Sequence, residues 1–170
     1  CAADDYLLCL NRLHRYADYI TINISSPNTK NLRDLQSDAA LGALLAAIAE
    51  ARERIAQAEG RKVPVLVKIA PDLPDAALSG LVALAQQHGM DGLIATNTTL
   101  SRAAVAGHRL ADEAGGLSGA PLTFRADAVL QQLRRAAGPD YPLIGVGGVG
   151  SAAAAVARRS AGADLVQIYT

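Results

Sequence analysis

YITINISSPN (residues 19–28) runs as an apolar strand and then breaks into serine, proline and asparagine. Successive side chains of a strand leave on opposite faces, so Ile20, Ile22 and Ile24 share one face and Thr21, Asn23 and Ser25 the other. The isoleucine face suits a layer of packed helices, and the polar face then looks into the interior of a closed sheet. VPVLVKIAP (63–71) behaves the same way: Val65, Val67 and Ile69 share a side, and Lys68 lies opposite, close to the strand's end. A lysine within an apolar strand is costly to bury unless an anion or a hydrogen-bonding partner meets it. The competing reading is a lysine snorkelling from an edge strand. TNTT (96–99) again closes an apolar run with hydroxyls and amides. Polar groups at the carboxyl ends of several strands are where barrel enzymes collect their catalytic residues.

Outward from these strands the chain keeps a simple rhythm. Further Val/Ile/Leu-rich runs occur at YPLIGVGG (141–148) and DLVQIYT (164–170), and helix-like stretches cover 38–60, 75–89, 124–138 and 151–162. The helices stop at Gly60, Gly89, Gly138 and Gly162, the residue preferred just past a helix end. Strand and helix alternating with crossovers this long predict a parallel α/β sheet with no interior domain boundary. Two architectures compete, a doubly wound sheet and a (β/α)8 barrel. GVGGVG (145–150) matches the spacing of a dinucleotide-binding glycine turn, but that fingerprint needs an acid at the far end of the next strand. Asp164 has roughly the spacing and stands at the wrong end, so the match is weak. In a barrel, the same glycines suit a phosphate, which loops after the last two strands habitually bind through backbone amides.

Composition narrows the function classes. With 170 residues, 51% hydrophobic, and 16 basic against 16 acidic side chains, the chain holds one ordinary domain and lacks the charge excess that favours nucleic acid or an anionic membrane as main partner. Cys1 and Cys9 have no metal-like spacing and read as reduced thiols of a cytoplasmic protein. The opening CAADDYLLCL carries acid where a signal peptide would carry base, and no apolar run reaches the ~18 residues of a membrane span. His14, His88 and His108 fall in helix-like or loop stretches and read as surface side chains, so a Ser-His-Asp relay has no support. No set of side chains has metal-ligand spacing. Neutral donors and acceptors around one lysine suit a pocket for a polar, planar heteroaromatic ligand, with a cofactor taking any electrons.

The segments NISSPNTKNLRDLQ, VKIAPDL, GLIATNTT, EAGGLSGAPL, IGVGG and LVQIYT, in this order, resemble the class 2 dihydroorotate dehydrogenases, quinone-dependent flavin enzymes of pyrimidine biosynthesis. The resemblance covers essentially the whole chain. It implies a (β/α)8 TIM barrel that binds FMN at the strand carboxyl ends, oxidises dihydroorotate to orotate and passes electrons to a quinone. Ser26 then matches the catalytic base, and a serine there, where class 1 relatives carry cysteine, favours class 2. Asn23 matches a residue touching both flavin and substrate. Lys68 and Thr96 match flavin contacts; Asn28, Asn97 and Thr98 match substrate contacts. Gly119, Gly148, Tyr169 and Thr170 match the flavin phosphate and ribityl environment.

Five strands are short of a barrel's eight. The resemblance therefore implies that residues 1–170 form a partial FMN-binding barrel domain, holding about the C-terminal five strands. It further implies that the N-terminal half and its membrane-contacting extension are missing from these residues. Complete relatives are implied to be peripheral on the inner membrane. The alternative reading is a non-catalytic half-barrel that binds phosphate or associates with a second copy.

Overall fold

Alternation along the strands divides the apolar residues of this chain between two layers. The computed structural model describes residues 2–29 and 32–169. Its sheet is parallel and five-stranded: β1 (Ile20–Asn23), β2 (Val65–Ile69), β3 (Gly92–Ala95), β4 (Leu143–Val146) and β5 (Leu165–Gln167). The strands are neighbours in chain order. Asn23 pairs with Lys68, Lys68 with Ile94, Ile94 with Ile144, and Ile144 with Leu165. Helices α1 (Ala2–Leu13), α2 (Asp38–Glu59), α3 (Asp75–Gln87), α4 (Thr123–Ala137) and α5 (Ala152–Ser160) provide the crossovers and the flanking layer.

The main core lies between that helix layer and one sheet face. Val65, Val67, Ile69, Leu93 and Leu143 project into it and meet Leu41, Leu45 and Ile48 of α2, Leu78 and Val82 of α3, and Leu130 and Leu133 of α4. Each fully buried side chain of this size stabilises the fold by roughly 1.5–3 kcal/mol. The opposite parity forms a smaller cluster of Leu66, Ile94, Ile144 and Val146. A doubly wound sheet reverses its strand order and carries helices on both faces. Sequential order with the helix core on one face is the wall of a barrel. On the other face Leu165 is 62% exposed. An apolar cleft of about 470 Å³ runs there between Tyr19, Leu66, Ile144 and Leu165.

A repeated device sets the strand register. Asp91, just before β3, accepts the Val65 N–H at 2.7 Å and pairs with Arg52 at 2.6 Å. Asp164, just before β5, accepts the Leu143 N–H at 2.8 Å and pairs with Arg134 at 2.6 Å. Arg134 also donates to the carbonyls of Gly138, Tyr141 and Gly162. Asp164 is thus a clamp at the amino ends of the strands, the end away from Gly147 and Gly148, so the dinucleotide reading of GVGGVG fails on geometry.

One feature departs from the sequence expectations and two lie outside them. Residues 2–13 form a helix, in which Tyr6, Leu7 and Leu10 recur at helical spacing and dock on the core. Asp4 and Asp5 in its first turn and Arg12 in its last suit the helix dipole. His14, expected at the surface, is 3% exposed and stands 2.9 Å from Glu59, closing the end of α1 onto the end of α2. His88 is half-buried and His108 exposed. The connection from β3 to α4 is an ordered excursion with two 3₁₀ turns and an antiparallel bridge between Thr99 and Leu117. Cys9 is exposed and free, and Cys1 lies outside the described residues. Among the described residues no helix is long and apolar enough to cross a membrane.

Leu45 is completely buried at the centre of α2. Leu45→Ala is expected to cost about 2–5 kcal/mol. Urea unfolding would register this as a lower midpoint with an unchanged slope, and an unchanged midpoint would contradict the core described above.

Candidate active site

Parallel pairing puts the carboxyl ends of all five strands on one rim, and the polar residues that follow each strand meet there. They line a cavity of about 360 Å³. β1 and its extension bring Asn23 and Ser26, β2 brings Lys68, and the end of β3 brings Thr96, Asn97 and Thr98. The β3–α4 loop adds Gly119, the end of β4 adds Gly148, and the segment after β5 adds Tyr169. Asn28 is exposed beside this cavity rather than on its wall; its N–H donates to Ser26 Oγ at 3.3 Å in a tight turn. Thr170 lies outside the described residues.

A compact hydrogen-bond network orients the amides. Asn97 Nδ2 donates to Asn23 Oδ1 and to Ser25 Oγ, both at 3.1 Å. Ser25, fully buried, donates its hydroxyl to Lys68 O at 2.8 Å, with Asn23 Oδ1 at 3.0 Å. Asn97 Oδ1 in turn accepts the Thr98 N–H at 2.8 Å. Because the Asn23 carbonyl is engaged inside the wall, its amide nitrogen is the end left for the cavity. Tyr6 supports the same residue from α1, donating to Asn23 O at 2.7 Å.

Outside this network an ion pair ties three strand-end loops together. Arg33 donates to Ser25 O at 3.2 Å, to Asp72 Oδ2 at 2.7 Å and to Thr98 O at 3.0 Å. Asp72 also accepts the Thr99 hydroxyl and the Leu100 N–H. The loop carrying Ser26 is therefore fastened to the loops carrying Thr98 and Asp72. Burial opposes ionisation of Asp72, but the hydrogen bonds from Thr99, Leu100 and Arg33, together with the Arg33 charge, outweigh it and hold its pKa below the usual carboxylate range. Arg33 and Asp72 sit within NISSPNTKNLRDLQ and VKIAPDL, yet nothing in sequence spacing says that residues 39 apart meet.

Lys68 supplies the charge of the cavity. Half-burial strips water from its ammonium and lowers its pKa. Among the described residues no carboxylate pairs with it; it lies over the Tyr169 ring, with the centroid 5.6 Å from Nζ. An unpaired, half-buried cation ringed by neutral donors and acceptors favours an anionic or charge-accepting ligand. Thr96 Oγ1 is buried and, among the described residues, has no partner, so a ligand group is free to take it. At the other end the wall is bare backbone. A Cβ on Gly147 would lie 2.8 Å from Leu122 Cδ2, and one on Gly148 would lie 2.9 Å from Gly119 O. Ring-sized space beside a cation and a glycine-lined end next to a capped helix, α5, together accommodate a flat heteroaromatic group carrying a phosphate.

Comparison with known proteins gives a consistent picture. The family profile described as dihydroorotate dehydrogenase matches residues 1–170. The chain is similar to the dihydroorotate dehydrogenase (quinone) of Acidovorax sp. (strain JS42), with 60% identity over 169 residues, 99% of this chain and 48% of that protein. The protein of the same name from Polaromonas naphthalenivorans (strain CJ2) is 59% identical over 169 residues, with the same coverage. Among solved structures, DHODH from Eimeria tenella in complex with ferulenol superposes with a TM-score of 0.91 at 33% identity, covering 99% of this chain and 49% of that one. The ligand-free form from the same organism gives 0.91 at 35% identity, covering 99% and 50%. The chain spans about half the length of the curated relatives it matches.

The Arg33–Asp72 tie has a pH signature. Because the Asp72 pKa is lowered on folding, its contribution to stability is complete above the ordinary carboxylate value and is lost as pH falls through the lowered one. Asp72→Asn is expected to cost about 1–3 kcal/mol at neutral pH, by leaving part of Arg33 unmatched. In urea unfolding at stepped pH the gap to the parent should close on acidification; a gap independent of pH would refute the assignment.

Proposed function

The chain belongs to the dihydroorotate dehydrogenase family, and from that premise we propose that it forms the cofactor-bearing wall of a class 2 enzyme. In that enzyme dihydroorotate is oxidised to orotate in pyrimidine biosynthesis and the electrons pass to a quinone. The observation that carries the proposal is the convergence of Asn23, Ser26, Lys68, Thr96, Asn97, Thr98, Gly119, Gly148 and Tyr169 on one cavity. The names of the close relatives support the choice of quinone as acceptor, as does serine rather than cysteine at position 26.

FMN, held by the cavity residues, would supply the redox chemistry by taking up the hydride lost from dihydroorotate. The residues of this chain do the remaining work. Ser26 Oγ would take the proton from C5 while its own hydroxyl proton passes along a relay toward solvent. A serine hydroxyl is a poor base at neutral pH, so proton loss is coupled to departure of the hydride in a site shielded from water. Asn23, held by the Ser25 network, presents its amide nitrogen to the substrate ring, Asn97 keeps only remaining acceptor capacity at Oδ1, and Thr98 adds a donor and acceptor at the ring's edge, with Asn28 reaching in from its exposed loop beside the cavity. Lys68 would place a fixed cation beside the bound ring, an electrostatic contribution to any negative charge gained there that requires no rearrangement. Thr96, the glycines at 119 and 148, Tyr169 and Thr170 hold the ring and its phosphate-bearing tail.

The apolar inner face, with Leu165 exposed, supports completion of the barrel by the remaining half of a longer protein. The membrane contact by which such an enzyme meets its quinone from the cytoplasmic side belongs to that other half. The complete protein is accordingly expected to be yellow and to bleach when dihydroorotate is added without an acceptor. A colourless protein that binds phosphate and no flavin would instead establish a non-catalytic module.

Ser26→Ala in the complete enzyme is expected to leave FMN bound and to slow flavin reduction by about 10²–10⁴-fold, the usual contribution of a positioned base. Stopped-flow absorbance measures this directly, and reduction at the parental rate would remove Ser26 from the role. Lys68→Ala is expected to lower flavin content, or to slow reduction by about 10²-fold or more. Unchanged content and rate would count against its contact with the ring.

A further inference from the structure

Arg158 is 1% exposed, a burial that an arginine tolerates only with matched partners. It stands on α5, and its stem crosses β4 at Gly145, where a Cβ would lie 2.5 Å from Arg158 Cγ. Asp127 of α4 lies 2.9 Å from its Nε as an ion pair without hydrogen-bond alignment. The aligned bond goes elsewhere: Nη2 donates to Gly147 O at 2.5 Å, and Nη1 reaches Val146 O at 3.5 Å. A glycine in the strand and an acid in the neighbouring helix therefore admit one cation, which grips the loop after β4 from behind.

The grip has a directional consequence. In a trans peptide the carbonyl and the following N–H point to opposite sides. With Gly147 O drawn to Arg158, the Gly148 N–H points away from that arginine, and both glycines line the cavity. Among the described residues that N–H has no acceptor. Gly147 at φ 107° and Gly148 at φ 68° lie in backbone regions that glycine enters and leaves readily, so this peptide needs an external hold. We infer that Arg158, backed by Asp127, is a positioning residue that fixes the Gly147–Gly148 peptide with its N–H toward the cavity, as a donor to the phosphate of the bound cofactor. The inference rests on the FMN reading above. A tie between α4 and α5 alone would leave the Gly147 bond without a purpose.

The test compares two ligands differing only in the phosphate. FMN and riboflavin are titrated by fluorescence into the flavin-stripped complete protein and its Arg158→Met and Arg158→Lys variants. The parent is expected to prefer FMN strongly. Arg158→Met is expected to weaken FMN about tenfold or more, the worth of one charge-assisted hydrogen bond, with riboflavin affinity within about twofold of the parent. Arg158→Lys keeps the charge, loses the fork and should fall between, which preserves the test if the methionine variant does not fold. Equal losses for both ligands, or none, would overturn the inference and leave Arg158 as a helix tie. A parent that binds both ligands equally would overturn the FMN reading itself, and this inference with it.

Discussion

Strand register is the constraint on which the site depends. A slip of one residue turns every side chain of a strand to the opposite face. For β2 it would carry Lys68 into the helix layer and a valine or isoleucine into the cavity. The clamps made by Asp91 with Arg52 and by Asp164 with Arg134 oppose such a slip. Each joins the residue before one strand to the first N–H of its neighbour. These charges lie at the amino ends of the strands and the chemistry at the carboxyl ends, so the register clamps and the site occupy opposite rims of one sheet.

The functional rim is built almost without charge. Asn23, Ser25 and Asn97 satisfy one another, Arg33 and Asp72 neutralise each other outside the cavity, and among the described residues Lys68 stays the cation that faces inward. A neutral wall around one unpaired ammonium keeps the site from filling with tightly held water and gives that ammonium its full effect on a ligand. Two arginines stand behind the wall in a similar relation to it. Arg33 fastens the loop of Ser26 from one side, and Arg158 holds the loop of Gly148 from the other. Each acts on backbone carbonyls, so each controls where amides and hydroxyls point while remaining out of the cavity.

Much of this was legible in the chain. Period-two alternation in β1 and β2 marked which side chains share a face, and the polar endings of three strands marked the rim. The four predicted helices and five strands all occur, with the strands shorter than the apolar runs at both ends because the ladder pairs only their middles. The helix at Ala2–Leu13 lies outside the predicted elements, although Tyr6, Leu7 and Leu10 carry its period, because its acids read only as evidence against a targeting segment. His14 was misplaced at the surface because its partner Glu59 is 45 residues away and meets it only when α1 and α2 pack.

By itself the sequence determined the local rules: which residues are extended, which are helical, which face each presents, and which motifs place the chain in its family. Those depend on spacing along the chain, where 2.0 and 3.6 residue periods are directly visible. Only the tertiary structure decided what meets across the chain. Sequential strand order chose a barrel wall over a doubly wound sheet, Asp164 became a register clamp, and Arg33 and Arg158 became supports of the cavity. Those outcomes arise from contacts between segments dozens of residues apart, brought within about 3 Å by close packing, and no pattern in the primary structure encodes the pairing of one particular arginine with one particular carbonyl.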